Sequence, residues 1–236
     1  MTSTNEHGQP VGRPVPGWEP RLFPALVTLT GRHVRLEPLA PEHAAPLYEE
    51  LCGPADAPLW TYRLSGPPAD LAAMEREVAA WAAAEDARTF AVVPVGEERP
   101  AGMTTLMRVD PAHGSVEVGS IIYARRLQRT PVTTEATHLL ARHVLDDLGY
   151  RRFEWKCDSC NEPSRRAAAR LGFTYEGRFR NAMVYRGRNR DTDWFSITAE
   201  EWPGIRAAHE RWLAPDNLDA GRQRSSLASL LPAVAR

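Results

Sequence analysis

The 236-residue sequence predicts a mixed α/β fold, a mostly antiparallel sheet flanked by helices, and three observations predict it. Thr89 to Val95, Pro100 to Val109 and Ser115 to Tyr123 read as strands joined by turn signals at Gly96 to Arg99 and at Asp110 to Gly114, which makes an antiparallel meander. Gln128 to Phe173 sets two capped helix starts around one strand, and Thr174 to Tyr185 with Asp191 to Ile197 forms a hairpin around Gly187.

In chain order, residues 1–31 carry Pro10, Pro14, Pro16, Pro20 and Pro24 with little periodicity, so they read as an extended arm that packs Trp18, Leu22 and Phe23 onto the domain. Val34, Leu36 and Leu39 start the first strand. Pro41 to Cys52 makes a helix and Ala69 to Glu85 a longer, alanine-rich one, with Trp60, Tyr62 and Gly66 in the loop between. After the meander, Thr130 stands at a helix N-cap and Pro131 at the first helical position, and Val132, Ala136, Leu139, Leu140, Val144 and Leu148 recur at helical spacing until Gly149. Phe153, Trp155 and Cys157 alternate with Arg152, Glu154 and Lys156, the pattern of a strand. Asn161 then caps a helix that ends at Gly172. Residues 199–236 supply a closing helix, Ala199 to Leu213, and a tail from Pro215 that is expected to be loosely attached.

Composition narrows the function. With 43% hydrophobic residues and a net charge of -1 the chain can bury a sizeable core, and no apolar run approaches membrane-spanning length. Residues 151–190 hold eleven Arg or Lys against four Asp or Glu, a locally basic region suited to phosphates; no nucleic-acid motif accompanies it, so a duplex-binding role is not expected. Three cysteines form no paired framework, and a reducing cytoplasm is the expected compartment. Cys157-Asp158-Ser159-Cys160 has redox or zinc spacing but no second pair, and His138 and His143 lack a third ligand, so no metal is expected.

Gln128 to Thr134, followed by Asn161-Glu162-Pro163-Ser164, Ala167-Ala168, Arg170-Leu171-Gly172-Phe173 and Glu176-Gly177, resembles the GCN5-related N-acetyltransferases (GNAT) and, within them, the ribosomal-protein N-terminal acetyltransferases. The likeness spans roughly His33 to Thr198, within an expected domain of residues 32–198. It implies the GNAT fold, in which a central sheet splays open between the Ser115 to Tyr123 and Arg151 to Cys157 strands, so that Ile121, Ile122 and Tyr123 face the pantetheine arm of acetyl-CoA. It also implies that Gln128, Arg129, Thr130, Val132, Thr133 and Thr134 meet the pyrophosphate at the helix start and that Asn161 holds the arm. Arg165 and Arg170 are candidates to assist the nucleotide end, against the alternative of solvated helix side chains. The family loop usually reads Gln or Arg, two residues, Gly, one residue, then Gly or Ala; here those small positions hold Pro131 and Thr133, and a proline offers no N–H. The expected compensation is Arg129 with the hydroxyls of Thr130, Thr133 and Thr134.

Acyl transfer to an amine needs a base, donors for an oxyanion and a proton for the departing thiolate. Glu117 lies between Val116 and Val118 on an alternating strand, with Gly119 two residues along its own face leaving room beside the carboxylate. The residues alone leave a base or a salt-bridged glutamate; the resemblance implies the base. Ser164, in the first turn of the Asn161 helix, is either a local cap or, as the resemblance implies, the acid, with Tyr123, Tyr175 and Tyr185 as alternatives. Trp60, Tyr62 and Asp193, the last beside the polar turn at 188–191, are expected to frame the acceptor entrance. The reading is an acetyl-CoA-dependent N-acetyltransferase that moves acetyl directly to a primary amine, a protein N-terminus or a small amine, with homodimerisation open. A non-catalytic acyl-CoA sensor or scaffold, and a transferase using succinyl-CoA, are the alternatives.

Overall fold

The computed structural model describes residues 2–219 and 222–232. In the arm, β1 (Thr2–Thr4) and β2 (Pro10–Gly12) pair with each other alone. The domain then runs β3 (Leu29–Thr30), β4 (Val34–Pro38), α1 (Ala44–Leu51), α2 (Leu71–Ala82), β5 (Arg88–Pro94), β6 (Gly102–Asp110) and β7 (Ser115–Tyr123). It continues through α3 (Pro131–Arg142), β8 (Arg152–Asp158), α4 (Glu162–Arg170), β9 (Thr174–Tyr185), β10 (Arg188–Thr198) and α5 (Trp202–Leu213). Past it lie β11 (Leu218–Asp219), β12 (Arg222–Gln223) and the single turn α6 (Leu227–Leu230).

Strands β3 to β10 form one sheet of eight in the order β3-β4-β5-β6-β7-β8-β10-β9, antiparallel at every step except β7–β8, where the α3 crossover returns the chain in parallel. The meander and both helix crossovers stand where periodicity puts them. Asp70 starts α2 by accepting from the Ala73 N–H at 2.7 Å, and Asn161 starts α4 by accepting from Ser164 N–H at 3.2 Å. The α3 helix is not α-helical up to Leu148: it passes into a π-helical turn, His143–Asp147, before Gly149.

The first strands are tied to α3 by one side chain. Glu135, 5% exposed, accepts from the backbone N–H groups of Arg32, His33 and Val34 at 2.8, 2.5 and 3.0 Å, which satisfies the β3–β4 turn with a single carboxylate. Gly31 is required there, because a Cβ would overlap that carboxylate.

The arm and the tail differ in part from expectation. Trp18 packs, its indole N–H donating to Ala112 O at 3.0 Å beneath Arg21 and Arg151, and Phe23 lies under Arg88. Leu22 does not: it is 80% exposed, and what the domain holds is its carbonyl, through Tyr150 OH. The described part of the tail is attached rather than loose. Asn217 donates to Trp212 O and accepts from Ser225 N–H, both at 2.9 Å, and Leu227 is buried. The expectation for residues 220–221 and 233–236 lies outside the described residues.

His209 on α5 is fully buried and donates from Nε2 to Leu171 O at 3.0 Å. Burial, helped by the neighbouring His138 and Arg170 and opposed by that hydrogen bond, pushes it down to about 3 from 6.5. The unfolded chain therefore takes up a proton that the folded one refuses, and this group's contribution to stability is lost as pH falls from 6.5 toward 3. Between pH 7 and 5 the protein should lose about 2 kcal/mol from this group. His138, also lowered by burial, adds to the loss. Urea unfolding should show a shallower pH dependence in His209→Gln, which keeps a donor and removes the titration; an unchanged slope would contradict the assignment.

No helix among the described residues is long and apolar enough to cross a membrane, and no cluster of three or more metal-ligating side chains occurs among them.

Candidate active site

The β7–β8 ladder has four rungs, from Ser115↔Arg152 to Val118↔Trp155, and then stops. Beyond Val118 the two strands diverge, and the gap opens into a cavity of about 1250 Å³. A bulge turns β7 at this place: Gly119 pairs with Thr105 and Ile122 with Met103, so Ser120 and Ile121 share Thr104, and Ser120 takes φ +49°. The extra residue places Glu117 and Gly119 on one face of the sheet and Tyr123 on the other.

On the first face, Glu117 is 3% exposed. Its Oε2 meets Arg108 Nη1 at 2.7 Å and Lys156 Nζ at 2.9 Å, while none of the described residues makes a hydrogen bond to Oε1. Oε1 lies toward Gly119, where a Cβ would sit 3.0 Å from it and 2.6 Å from Met107 Sδ, so glycine keeps the carboxylate's open side clear. A second bulge supplies Arg108: residues 108 and 109 face Val116 alone, and Arg108 adopts φ +47° to reach back to Glu117. Lys156, the only lysine of the chain, also bridges to Glu154 at 2.7 Å and stands 3.8 Å from the centre of the Trp194 ring. Glu154 is raised by burial but lowered more by its bonds from Arg152 and Lys156, which together hold it below the usual carboxylate range.

On the second face the α3 and α4 starts converge. Thr130 occupies the α3 N-cap position without capping it, because its hydroxyl donates backward to Leu127 O at 2.6 Å; the Thr133 hydroxyl likewise donates to Thr130 O at 3.3 Å. The helix start is therefore free of a side-chain cap, leaving its first N–H groups and dipole for an anion. Pro131 is the first helical residue, where no intrahelical N–H bond is due, and Arg129 takes the left-handed φ of +62° otherwise expected of glycine. Ser164 does not cap α4 either. Its Oγ accepts from Trp155 Nε1 at 3.0 Å. Burial pushes the Cys157 thiol up to about 11.

Of the residues singled out from sequence, Glu117, Ser164, Ile121, Ile122, Tyr123, Gln128, Arg129, Thr133, Asn161 and Tyr62 all line this one cavity. Others do not. Trp60 is buried, its indole donating to Leu51 O at 2.8 Å, so it clamps the loop from beneath. Asp193 is fully buried and paired with Arg165 at 2.8 Å and Arg178 at 2.6 Å, which removes both Asp193 from the acceptor entrance and Arg165 from the nucleotide end. Thr130, Val132 and Thr134 do not line the cavity, and Thr134 Oγ1 accepts from Arg170 at 2.9 Å. Among the tyrosines, Tyr175 is half exposed against Phe195 and Tyr185 donates to Asp158 at 2.7 Å, neither lining the cavity, while burial raises Tyr123. The sequence reading missed Arg63, Arg108, Lys156, Arg190 and Trp194 as cavity residues. The lone lysine, alternating beside Glu154, was the available signal.

The chain matches the family model described as Acetyltransferase (GNAT) domain over residues 33–174. It is 28% identical over 103 residues, 44% of this chain, to YdaF of Bacillus subtilis (strain 168), provisionally named as a ribosomal N-acetyltransferase; the match spans 56% of that relative's length. A solved GCN5-related N-acetyltransferase from Brucella melitensis superposes with TM-score 0.89 at 42% identity, covering 92% of this chain and 99% of that one. A provisionally named GNAT-family acetyltransferase from Chromobacterium violaceum ATCC 12472 gives 0.77 at 35% identity, over 83% and 98% of the two chains.

Proposed function

The chain belongs to the GNAT acetyltransferase family, and from that premise we propose that it moves an acetyl group from acetyl-CoA directly to a primary amine bound beside Glu117. The observation that carries this reading is the single cavity in which the unpaired end of the β7–β8 gap joins an uncapped helix start on one face to a buried carboxylate with one open oxygen on the other. These groups fit acetyl-CoA: free backbone on β7 suits the pantetheine amides, and the α3 start, with Arg129 and Arg170 making no ion pair among the described residues, suits the phosphates. Glu117 Oε1 takes the proton of the incoming amine, while Arg108 and Lys156 fix the carboxylate through Oε2. Ser164, held by Trp155, supplies a proton to the departing thiolate.

The acceptor is better read as an α-amine or another weakly basic amine than as a lysine. Neutralising an α-amine of pKa about 8 at pH 7 takes roughly 1.4 kcal/mol, against about 4.6 kcal/mol for a lysine, and a single carboxylate base suits the smaller demand. The reading is tested by titrating acetyl-CoA calorimetrically and following thiol release across an amine panel. Binding with no amine-dependent release would leave a sensor rather than an enzyme.

Because the Ser164 hydroxyl does not cap α4, Ser164→Ala should lower the single-turnover rate by about a hundredfold or more. Stability should fall by only about 1 kcal/mol, from the Trp155 N–H left without its acceptor. An unaltered chemical step in the folded variant would pass the acid role to Tyr123 or to water.

A further inference from the structure

The cavity carries more positive charge at its acceptor end than the reaction uses. On the face that holds Glu117, four cations line it: Arg108 and Lys156, both engaged with Glu117, and Arg63 and Arg190, which make no ion pair among the described residues. Arg63 reaches in from the loop between α1 and α2 and is fixed by donating from Nη1 to Ser120 O at 3.0 Å, directly on the β7 bulge. Arg190 is fixed on β10 by donating from Nε to Thr192 Oγ1 at 3.1 Å. The carboxylates lining this end are Glu117, Glu77, whose charge reaches Arg63 without an ion pair, and Asp158, which accepts from Tyr185 OH. Each guanidinium therefore keeps donors to spare in a half-buried place where an uncompensated charge is costly. An apolar shelf lines the same cavity: Phe179, 57% exposed, packs on Trp194 with ring centres 4.6 Å apart.

We propose that the acceptor is an amine carrying its own acidic group, a carboxylate or a phosphoryl group, on an apolar or aromatic body. Arg63 and Arg190 hold the acidic group, Phe179 and Trp194 the body, and the amine is left facing Glu117. A polyamine or a strongly basic peptide is disfavoured, because it brings like charge up to two guanidiniums that have no ion pair among the described residues. This identification rests on reading the cavity as an acetyl-transfer site.

The test uses the full chain loaded with CoA for binding and with acetyl-CoA for turnover. The probes are L-phenylalanine, L-phenylalaninamide, the phosphonic acid analogue 1-amino-2-phenylethylphosphonic acid, and spermidine. At least one of the two acids should bind to the CoA-loaded protein tenfold or more tightly than the amide, and be acetylated with a kcat/KM at least tenfold higher. Comparing carboxylate with phosphonate then says which acid is preferred. In Arg63→Gln and Arg190→Gln the KM for the preferred acid should rise about tenfold while acetyl-CoA affinity and the KM for the amide stay as they were. Equal binding of acid and amide, tighter binding of spermidine, or no binding of either acid overturns the proposal. Selective binding of an acid without acetylation upholds it and removes the transfer reading; acetylation of the amide and spermidine in preference does the reverse.

Discussion

Glu117→Gln is expected to lower turnover by about two to four powers of ten while leaving acetyl-CoA affinity nearly unchanged. The amide oxygen can still face Arg108 and Lys156, and Lys156 keeps Glu154 as a partner, so the buried charges on that face stay compensated and the fold should persist. What is lost is the capacity to take a proton at the oxygen beside Gly119. The variant should then depend on amine that is already neutral, and its residual rate should rise about tenfold per pH unit until the amine's own pKa is reached. Steady-state kinetics across pH 6.5 to 9, with calorimetric titration of acetyl-CoA, checks both parts. Turnover near that of the unaltered protein at neutral pH, in a folded variant, would end the assignment of Glu117 as base.

Glu135→Ala should be strongly destabilising although it lies away from the cavity. One carboxylate accepts three backbone N–H groups of the turn at residues 32–34, and its removal leaves them without acceptors under a packed helix. Charge-assisted bonds of this kind contribute more than neutral ones, so a loss of about 3 to 5 kcal/mol is expected. Glu135→Gln, which retains an acceptor oxygen, should recover part of it. Urea unfolding at pH 7.5 measures the difference. A loss below about 1 kcal/mol would mean that the turn is held by strand pairing alone.

Both effects depend on residues that the sequence displays unequally. Glu117 stands out because strand alternation and a following glycine are local patterns, and the resemblance to a family puts a role on that position. Glu135 shows no pattern at all: it is one acidic residue on a helix, and its partners lie about a hundred residues earlier. Arg190, assigned to the acceptor's acidic group, is equally unmarked, since a basic stretch looks the same whether its members form ion pairs, as Arg165 does with Asp193, or make none among the described residues, as Arg190 does.

By itself the sequence determined the α/β class, the antiparallel meander, both crossover helices with their starts, and the family, because these follow from hydrophobic period, turn chemistry and short motifs that act within a few residues. The tertiary structure alone decided where polar groups find partners. It spent the Thr130 and Thr133 hydroxyls on backbone carbonyls and left the α3 start uncapped. It moved Trp60, Asp193 and Arg165 into structural pairings, and it brought Arg108 and Lys156, from two different strands, onto one oxygen of Glu117. The physical reason is range: a backbone preference is set by neighbours along the chain, whereas a buried charge is satisfied by whatever the folded sheet places within about 3 Å of it, through bulges at Arg108 and Ser120 that no local pattern announces.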